Sequence, residues 1–258
     1  MAVSQSERPD PLGRAMRDYQ RGEPGTLSYR DGDRTGGGRV REHYFRPRSE
    51  WGEHTIERLR SLEGPVLDVG CGAGQHVCWL QDHGVDVVGV DVSPGAVEAA
   101  RSRGGEDVRR DDMFDLPFDR DRFRSLHCIG TQLGLAGSLA GISELLAEFA
   151  RVTGGDGVAV VDNYDPRRLG DDFLGYRFDP RTGVARRCFH FEYERDGERV
   201  VGPTLQFLLC SPARLEEATI GTPWAVTDVR HDDPDGAHYV ATLAASREAR
   251  SSAGDSSS

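Results

Sequence analysis

The chain has 258 residues, enough for one α/β domain with additions, and 32 basic against 43 acidic side chains give it a net charge of −11. A surface this acidic repels phosphates, so neither nucleic acid nor an anionic membrane is an expected partner. The start, "MAVSQSERPDPLG", lacks the apolar core of a signal peptide, no apolar run reaches the ~20 residues that span a bilayer, and five scattered cysteines form no C-x-x-C pair, so a cytoplasmic protein without a metal site is expected.

Residues 1–50 are polar and arginine-rich, and "GDRTGGGR" reads as a flexible stretch. Tyr19, Tyr29, Tyr44, Phe45 and Trp51 are nonetheless spaced along this region and its end, more rings than a disordered tail carries. The extension is therefore expected to be a cap whose rings fold over a ligand, or one that packs them on the domain. From residue 51 the chain alternates: helix 53–62, strand 65–70, helix 74–83, strand 85–92, helix 94–104, a weak strand 107–110, strand 122–130, helix 143–152 and strand 157–164. Ser93 is the expected N-cap of the third helix, with Pro94 in its first turn. Near-continuous apolar strands between helices predict a parallel sheet covered on both faces.

After Pro166 the period changes to two. "VARRCFHFEYER" and "RVVGPTLQFLLC" flank the turn "RDGE" and predict an antiparallel hairpin over 184–210. "SPARLEEATI" predicts a helix capped by Ser211, "WAVTDVRH" and "HYVATLAA" two final strands, and "SREARSSAGDSSS" a disordered tail. The expected units are an extension at 1–50, a core at 51–165, a hairpin insertion at 166–210, the last helix and strands at 211–246 and the tail at 247–258.

The informative stretch is "VLDVGCGAGQH", residues 66–76, in which three alternate glycines follow an aspartate between a buried strand and a helix. Glycines in a strand-to-helix turn let the backbone bend sharply or touch a ligand. The dinucleotide fingerprint G-x-G-x-x-G fails in both registers, since its sixth position is Gln75 or Val77. What stands there instead is Asp68-x-Gly70-x-Gly72-x-Gly74.

This turn resembles motif I of the class I S-adenosylmethionine-dependent methyltransferases, a Rossmann-like superfamily, and the rest of residues 50–165 follows that family in order. The resemblance implies a three-layer α/β sandwich whose seven-stranded, mostly parallel sheet has its last strand antiparallel, here with a β-hairpin insertion. It implies S-adenosylmethionine as cofactor and S-adenosylhomocysteine as product. It assigns Asp68, Gly70, Cys71, Gly72 and Gly74 to the amino-acid end of the cofactor. Asp91, after the second strand, falls to its ribose, since a carboxylate accepts two hydrogen bonds from a vicinal diol, and Val92 beside it is counted with the cofactor site. Asp112 and Met113 in "RRDDMFDLPF" go to the adenine, with Asp111 the neighbouring alternative, and Ile129 and Gly130 to the loop beneath the methyl group. "FRSLHCIG" departs from the family by carrying Arg124 where an aspartate is usual.

Methyl transfer needs a base only if the acceptor must first lose a proton. His127, His190 and His76 are candidates, with Tyr164 and Glu192 behind them, and none is singled out. The acceptor is expected above the carboxyl ends of the strands, lined by Thr131, Gln132, Asn163, Tyr164 and the N-terminal Tyr19, Tyr29 and Tyr44. The hairpin serves as a wall of that site or as a contact between two copies of the chain. With no basic face and no Asn/Asp-Pro-Pro-Tyr/Phe motif, a small-molecule acceptor is favoured over DNA or RNA. The alternatives are a protein that binds this cofactor without transferring its methyl group, or a relative using another nucleotide-like ligand. The composition, acidic and without a single lysine, resembles that of salt-loving archaea; GC-rich codon usage is the alternative reading.

Overall fold

A computed structural model describes residues 8–246 apart from residue 232; the expected tail at 247–258 lies outside the described residues. In chain order the elements are α1 (Pro11–Gln20), β1 (Thr26–Asp31), β2 (Arg34–Gly37), α2 (Val40–Tyr44), α3 (Glu53–Arg60), β3 (Val66–Val69), α4 (Gln75–Asp82), β4 (Val87–Val90), α5 (Pro94–Arg103), β5 (Val108–Arg109), β6 (Phe123–Cys128), α6 (Leu139–Val152), β7 (Thr153–Tyr164), β8 (Tyr176–Phe178), β9 (Val184–Arg195), β10 (Glu198–Val201), β11 (Leu205–Cys210), α7 (Pro212–Thr219), β12 (Trp224–His231) and β13 (His238–Ala245).

The main sheet has seven strands in the order β12-β13-β7-β6-β3-β4-β5. β13 runs antiparallel to both its neighbours, and the pairs formed by β3 to β7 are parallel. Strands such as "VLDV" and "VVGV" are buried at every residue because helices cover both faces. Leu67, Val69, Val88 and Val90 point to a core shared with α6 and α7, whereas Val66 and Val87 point to one shared with α3, α4 and α5. Ser93 caps α5 as expected, its hydroxyl accepting from the Ala96 amide at 3.0 Å. Ser211 precedes α7, but its side chain makes no capping hydrogen bond. Among the described residues no helix is long and apolar enough to cross a membrane.

The expected hairpin insertion is instead part of a second sheet of six strands, and the N-terminal extension supplies two of them. β9 is its spine. Along one edge it pairs with β10 and then β11, with a break at residues 202–204, where Pro203 has no amide to donate. Along the other edge it pairs with β8 and then β1. The stretch expected to be flexible is the turn and outer strand of the β1–β2 hairpin, with Asp31 opposite Arg34. The turn into β10 keeps its expected form, with Asp196 and Gly197 both at positive φ.

The extension also reaches the main domain through Asp10. Its Oδ1 accepts from the Gly13 amide, capping α1, and its Oδ2 accepts from the Ser93 hydroxyl at 2.6 Å. One carboxylate thus ties the start of α1 to the start of α5.

Candidate active site

The glycine turn leaves β3 at the carboxyl edge of the sheet. Gly70, Gly72 and Gly74 all adopt positive φ, at 67°, 54° and 69°, a conformation that side-chain-bearing residues rarely take. The three glycines do different work. A Cβ on Gly74 would stand 2.8 Å from Ala100 Cβ, so this glycine lets α4 start against α5. A Cβ on Gly70 would meet the Gln132 side chain at 2.7 Å, and one on Gly72 would meet the Tyr44 ring at 3.3 Å. Gln132 and Tyr44, both expected beside the ligand, therefore do flank the turn. Cys71 between them is buried, and burial pushes its thiol well above the ordinary range.

Asp91 follows β4 and joins two elements. Its Oδ2 accepts from the Gly72 amide at 2.9 Å and its Oδ1 from the Ser93 amide at 2.8 Å. Each oxygen keeps a second lone pair. Burial raises its pKa to about 6, against the lowering effect of those two amides. Val92 beside it is 53% exposed, and its carbonyl accepts from Arg110 Nε, which holds the ends of β4 and β5 together. Asp112 accepts from the Phe114 amide through Oδ1 at 3.1 Å, closing a small turn. Met113 is 9% exposed and joins Leu116 in the core.

Asp68 sits under the turn, opposite His127 on the neighbouring strand. Asp68 Oδ1 and His127 Nδ1 share a hydrogen bond at 2.7 Å, while Asp68 Oδ2 and His127 Nε2 are buried without a partner. Burial pushes the Asp68 carboxyl up and the His127 imidazole down, which favours a neutral ring donating from Nδ1. The His76 ring stands edge-on to His127 with centroids 4.9 Å apart, and the ligating atoms of Asp68, His76 and His127 lie within 4.8 Å of one another. His127 is fully buried, so an acceptor does not reach it as a base. His190 and Glu192 are also displaced from that role: they pair with each other in the second sheet, where Arg30 and Arg199 bind the same carboxylate.

The loop after β6 is held by a residue that the sequence reasoning passed over. Asp162, 2% exposed, accepts from the Gly130 amide at 3.0 Å and the Thr131 amide at 2.6 Å, and its Oδ2 meets His238 Nε2 at 2.8 Å. Ile129, just before, packs against the α3–α5 side of the core. Asn163 is one of the expected lining residues, but strand alternation turns it to the face opposite Asp162. Fully buried, its amide is committed to Leu208 O at 3.3 Å and the Cys210 amide at 3.4 Å, so it fastens β7 to β11.

Between the sheets lies a cleft of about 560 Å³, lined among others by Tyr29, Tyr164, Phe173, Arg187 and His238, with Asp172, Asp233 and Asp235 also on its walls. Tyr164 and Tyr29, both expected to line the acceptor site, are on its walls; Arg187, Phe173 and His238 carried no local signal. The three N-terminal tyrosines separate. Tyr29 faces this cleft and Tyr44 the glycine turn, but Tyr19 packs on Phe45 with centroids 4.5 Å apart, and the Arg103 guanidinium lies over the Phe45 ring at 5.1 Å.

Residues 66–157 match the family described as "Methyltransferase domain". Over 108 residues the chain is 34% identical to dTDP-3-amino-3,6-dideoxy-alpha-D-glucopyranose N,N-dimethyltransferase of Streptomyces fradiae, which covers 42% of each protein. Over 119 residues it is 34% identical to methyltransferase GfsG of Streptomyces halstedii, covering 41% of each, so the chain spans less than half the length of these curated relatives. A SAM-dependent methyltransferase from Bacteroides fragilis, solved with S-adenosyl-L-homocysteine, superposes with a TM-score of 0.74 at 20% identity, over 92% of this chain and 95% of that one. The sugar N-methyltransferase KedS8 from Streptoalloteichus sp. gives 0.60 at 22% identity, over 79% and 89%. The chain therefore has the fold of these solved methyltransferases, and its residues 66–157 are similar to the methyltransferase domain family.

Proposed function

We propose that the protein is an S-adenosylmethionine-dependent methyltransferase whose acceptor is a small molecule held in the cleft between the two sheets. The observation that carries this reading is the coupling of the cleft to the glycine turn through one carboxylate. Asp162 holds the Gly130–Thr131 loop with one oxygen and His238, on the cleft wall, with the other. Gln132 in the same loop lies on Gly70.

The residues at the turn fit the cofactor. Asp68 Oδ2 is a buried acceptor without a partner, suited to an ammonium or its water, and Asp91 retains a lone pair on each oxygen for a diol. Gly70 and Gly72, having no Cβ, let the Gln132 side chain and the Tyr44 ring lie directly over the backbone of the turn. When bound, the cofactor supplies a methyl group on a sulfonium, an electrophile that needs no further activation. What remains for the chain is alignment and exclusion of water. Tyr44 and Gln132 shield the turn, and the Asp162 bonds set the loop against which the acceptor lies. Where the acceptor must lose a proton, His238, oriented by Asp162, is the group placed to take it. Relatives named as N-methyltransferases of sugars support an amine as the acceptor atom, and the acidic wall residues of the cleft favour a cationic amine over a polyanion such as nucleic acid.

Calorimetric titration with S-adenosylmethionine and S-adenosylhomocysteine, in low and in molar salt, tests the reading. Micromolar binding that Asp91→Ala weakens at least about tenfold is expected, since two charge-assisted hydrogen bonds are lost. Folded protein that binds neither compound at any salt concentration would leave the fold without the function.

A further inference from the structure

Arg187 differs from most arginines of the second sheet in having no carboxylate partner among the described residues. It shares this with Arg34 and Arg186, whose guanidinium groups donate to the backbone carbonyls of Asp171 and Asp172 and of Gly137. It alone of these three lies among aromatic rings. Arg30 and Arg199 meet Glu192, Arg177 meets Asp31, and Arg195 meets Glu23 and Asp18. Among the described residues no carboxylate pairs with Arg187, in a chain with 43 acidic side chains. Its guanidinium carbon lies 4.3 Å from the Phe173 ring centroid, 4.7 Å from that of Phe189 and 5.6 Å from that of Tyr29. Its Nε donates to the Leu174 carbonyl at 3.1 Å, and the fork also bonds the Tyr29 hydroxyl. Ring faces stabilise the cation only in part, and burial still pushes its pKa down. A guanidinium presents five N–H donors in one plane, of which these contacts use two. The cleft that Arg187 lines is the place from which a partner could reach the rest.

We propose that Arg187 is the anchor for a carboxylate on the methyl acceptor, so that the acceptor is a small organic acid whose nucleophilic atom lies toward Tyr164 and His238. The planar fork matches a carboxylate through two parallel hydrogen bonds. Tyr29, Phe173 and Tyr164 offer ring faces to the carbon body of such an acid. Tyr164 bridges the two ends of the cleft, its ring 5.1 Å from both Phe173 and His238. Asp172, Asp233 and Asp235 share the walls, and their charge sets the acidic cleft against a phosphate or diphosphate, which carries more negative charge than a carboxylate.

This inference rests on the cleft being the acceptor site, and its test separates the two. With S-adenosylhomocysteine present, ligand-observed saturation-transfer NMR compares benzoate, its neutral isostere benzamide and inorganic pyrophosphate on the full chain. Benzoate is expected to bind about tenfold or more tightly than benzamide, because the amide leaves a desolvated cation unmatched. Arg187→Gln should remove that preference while S-adenosylhomocysteine binds as before. Equal binding of acid and amide to the unaltered protein overturns the proposal, as does a preference that survives in Arg187→Gln. Tighter binding of pyrophosphate than benzoate overturns the carboxylate assignment. If Arg187→Gln does not fold, the comparison on the unaltered protein still decides. If the unaltered protein fails to bind S-adenosylhomocysteine, the reading that fails is that of the function.

Discussion

The backbone N–H of Thr131 donates to Oδ1 of Asp162 at 2.6 Å while Thr131 itself sits at φ 61°. A β-branched residue seldom takes that left-handed conformation, and it persists where surrounding bonds over-determine it. Here the bonds come from a carboxylate that also holds Gly130 and His238. Loop geometry at the turn and the wall of the cleft therefore depend on the same group.

Asp162→Asn keeps the volume but leaves one acceptor oxygen for three donors. Its expected effect is on turnover. Affinity for S-adenosylhomocysteine should change less than about threefold, whereas kcat should fall between about tenfold and a hundredfold, the range for a small misplacement of reacting groups. Calorimetry beside steady-state kinetics reads both. A loss of cofactor affinity as large as the loss of kcat would show that Asp162 supports the turn as a whole instead.

On the proposed reading, in which the ionised Asp91 accepts from the ribose, cofactor binding has a pH dependence. The Asp91 pKa in the folded protein is raised to about 6, chiefly by burial. Affinity for S-adenosylhomocysteine should be level above pH 7 and weaken below about 6, approaching tenfold per unit as the carboxylate protonates. Asp91→Asn should bind more weakly at pH 7 and flatten the profile. The same upward shift costs stability: the folded state holds the proton more tightly than the unfolded chain, so this contribution declines as pH rises toward 6 and the cost is complete above it.

Tyr44 covers Gly72 with its ring, and burial together with the Asp91 charge pushes its hydroxyl pKa to about 12. Contact area and not acidity is its asset. Tyr44→Phe should leave cofactor affinity within about twofold, while Tyr44→Ala, which uncovers the turn, should lower it about tenfold, or ~1.4 kcal/mol. Titration of both variants decides; equal losses would assign the effect to the hydroxyl.

Glu192 binds the N-terminal strand to the rest of the second sheet. Burial works against its charge, but hydrogen bonds from His190, Arg199 and Arg30 outweigh this and hold its pKa at about 2, below the ordinary 4.5. A depressed carboxyl contributes stability above its unfolded pKa and loses it as pH falls through the folded one. Glu192→Gln should therefore be less stable by roughly 2 kcal/mol at neutral pH, and the difference from the unaltered protein should shrink between pH 4.5 and 2. Denaturant titration across that range measures it.

Much of the main sheet was legible because its signals are local. Apolar runs such as "VLDV" and "VVGV", the Ser93–Pro94 cap and the glycines after Asp68 each state their structure within a few residues, and their order implies the parallel core. The second sheet was legible only in part. The hairpin turn at Asp196 and Gly197 could be read, but no local pattern pairs Thr26 with Glu194 across the length of the main domain. Individual site residues failed for a related reason. In "VVDNY" the alternation of a strand puts Asp162 and Asn163 on opposite faces, and only packing against β11 and the Gly130 loop decides which one the site receives. Tyr19, Tyr29 and Tyr44 look alike in sequence and end on Phe45, at the cleft and on Gly72. The sequence by itself determined the strand–turn–helix unit and the chemistry of its turn, since backbone geometry and burial periodicity are encoded residue by residue. Only the tertiary structure decided that Asp68 is tied to His127, that Asp162 joins the loop to the cleft, and that Arg187 lies among rings without a carboxylate, because each depends on contacts between segments far apart in the chain.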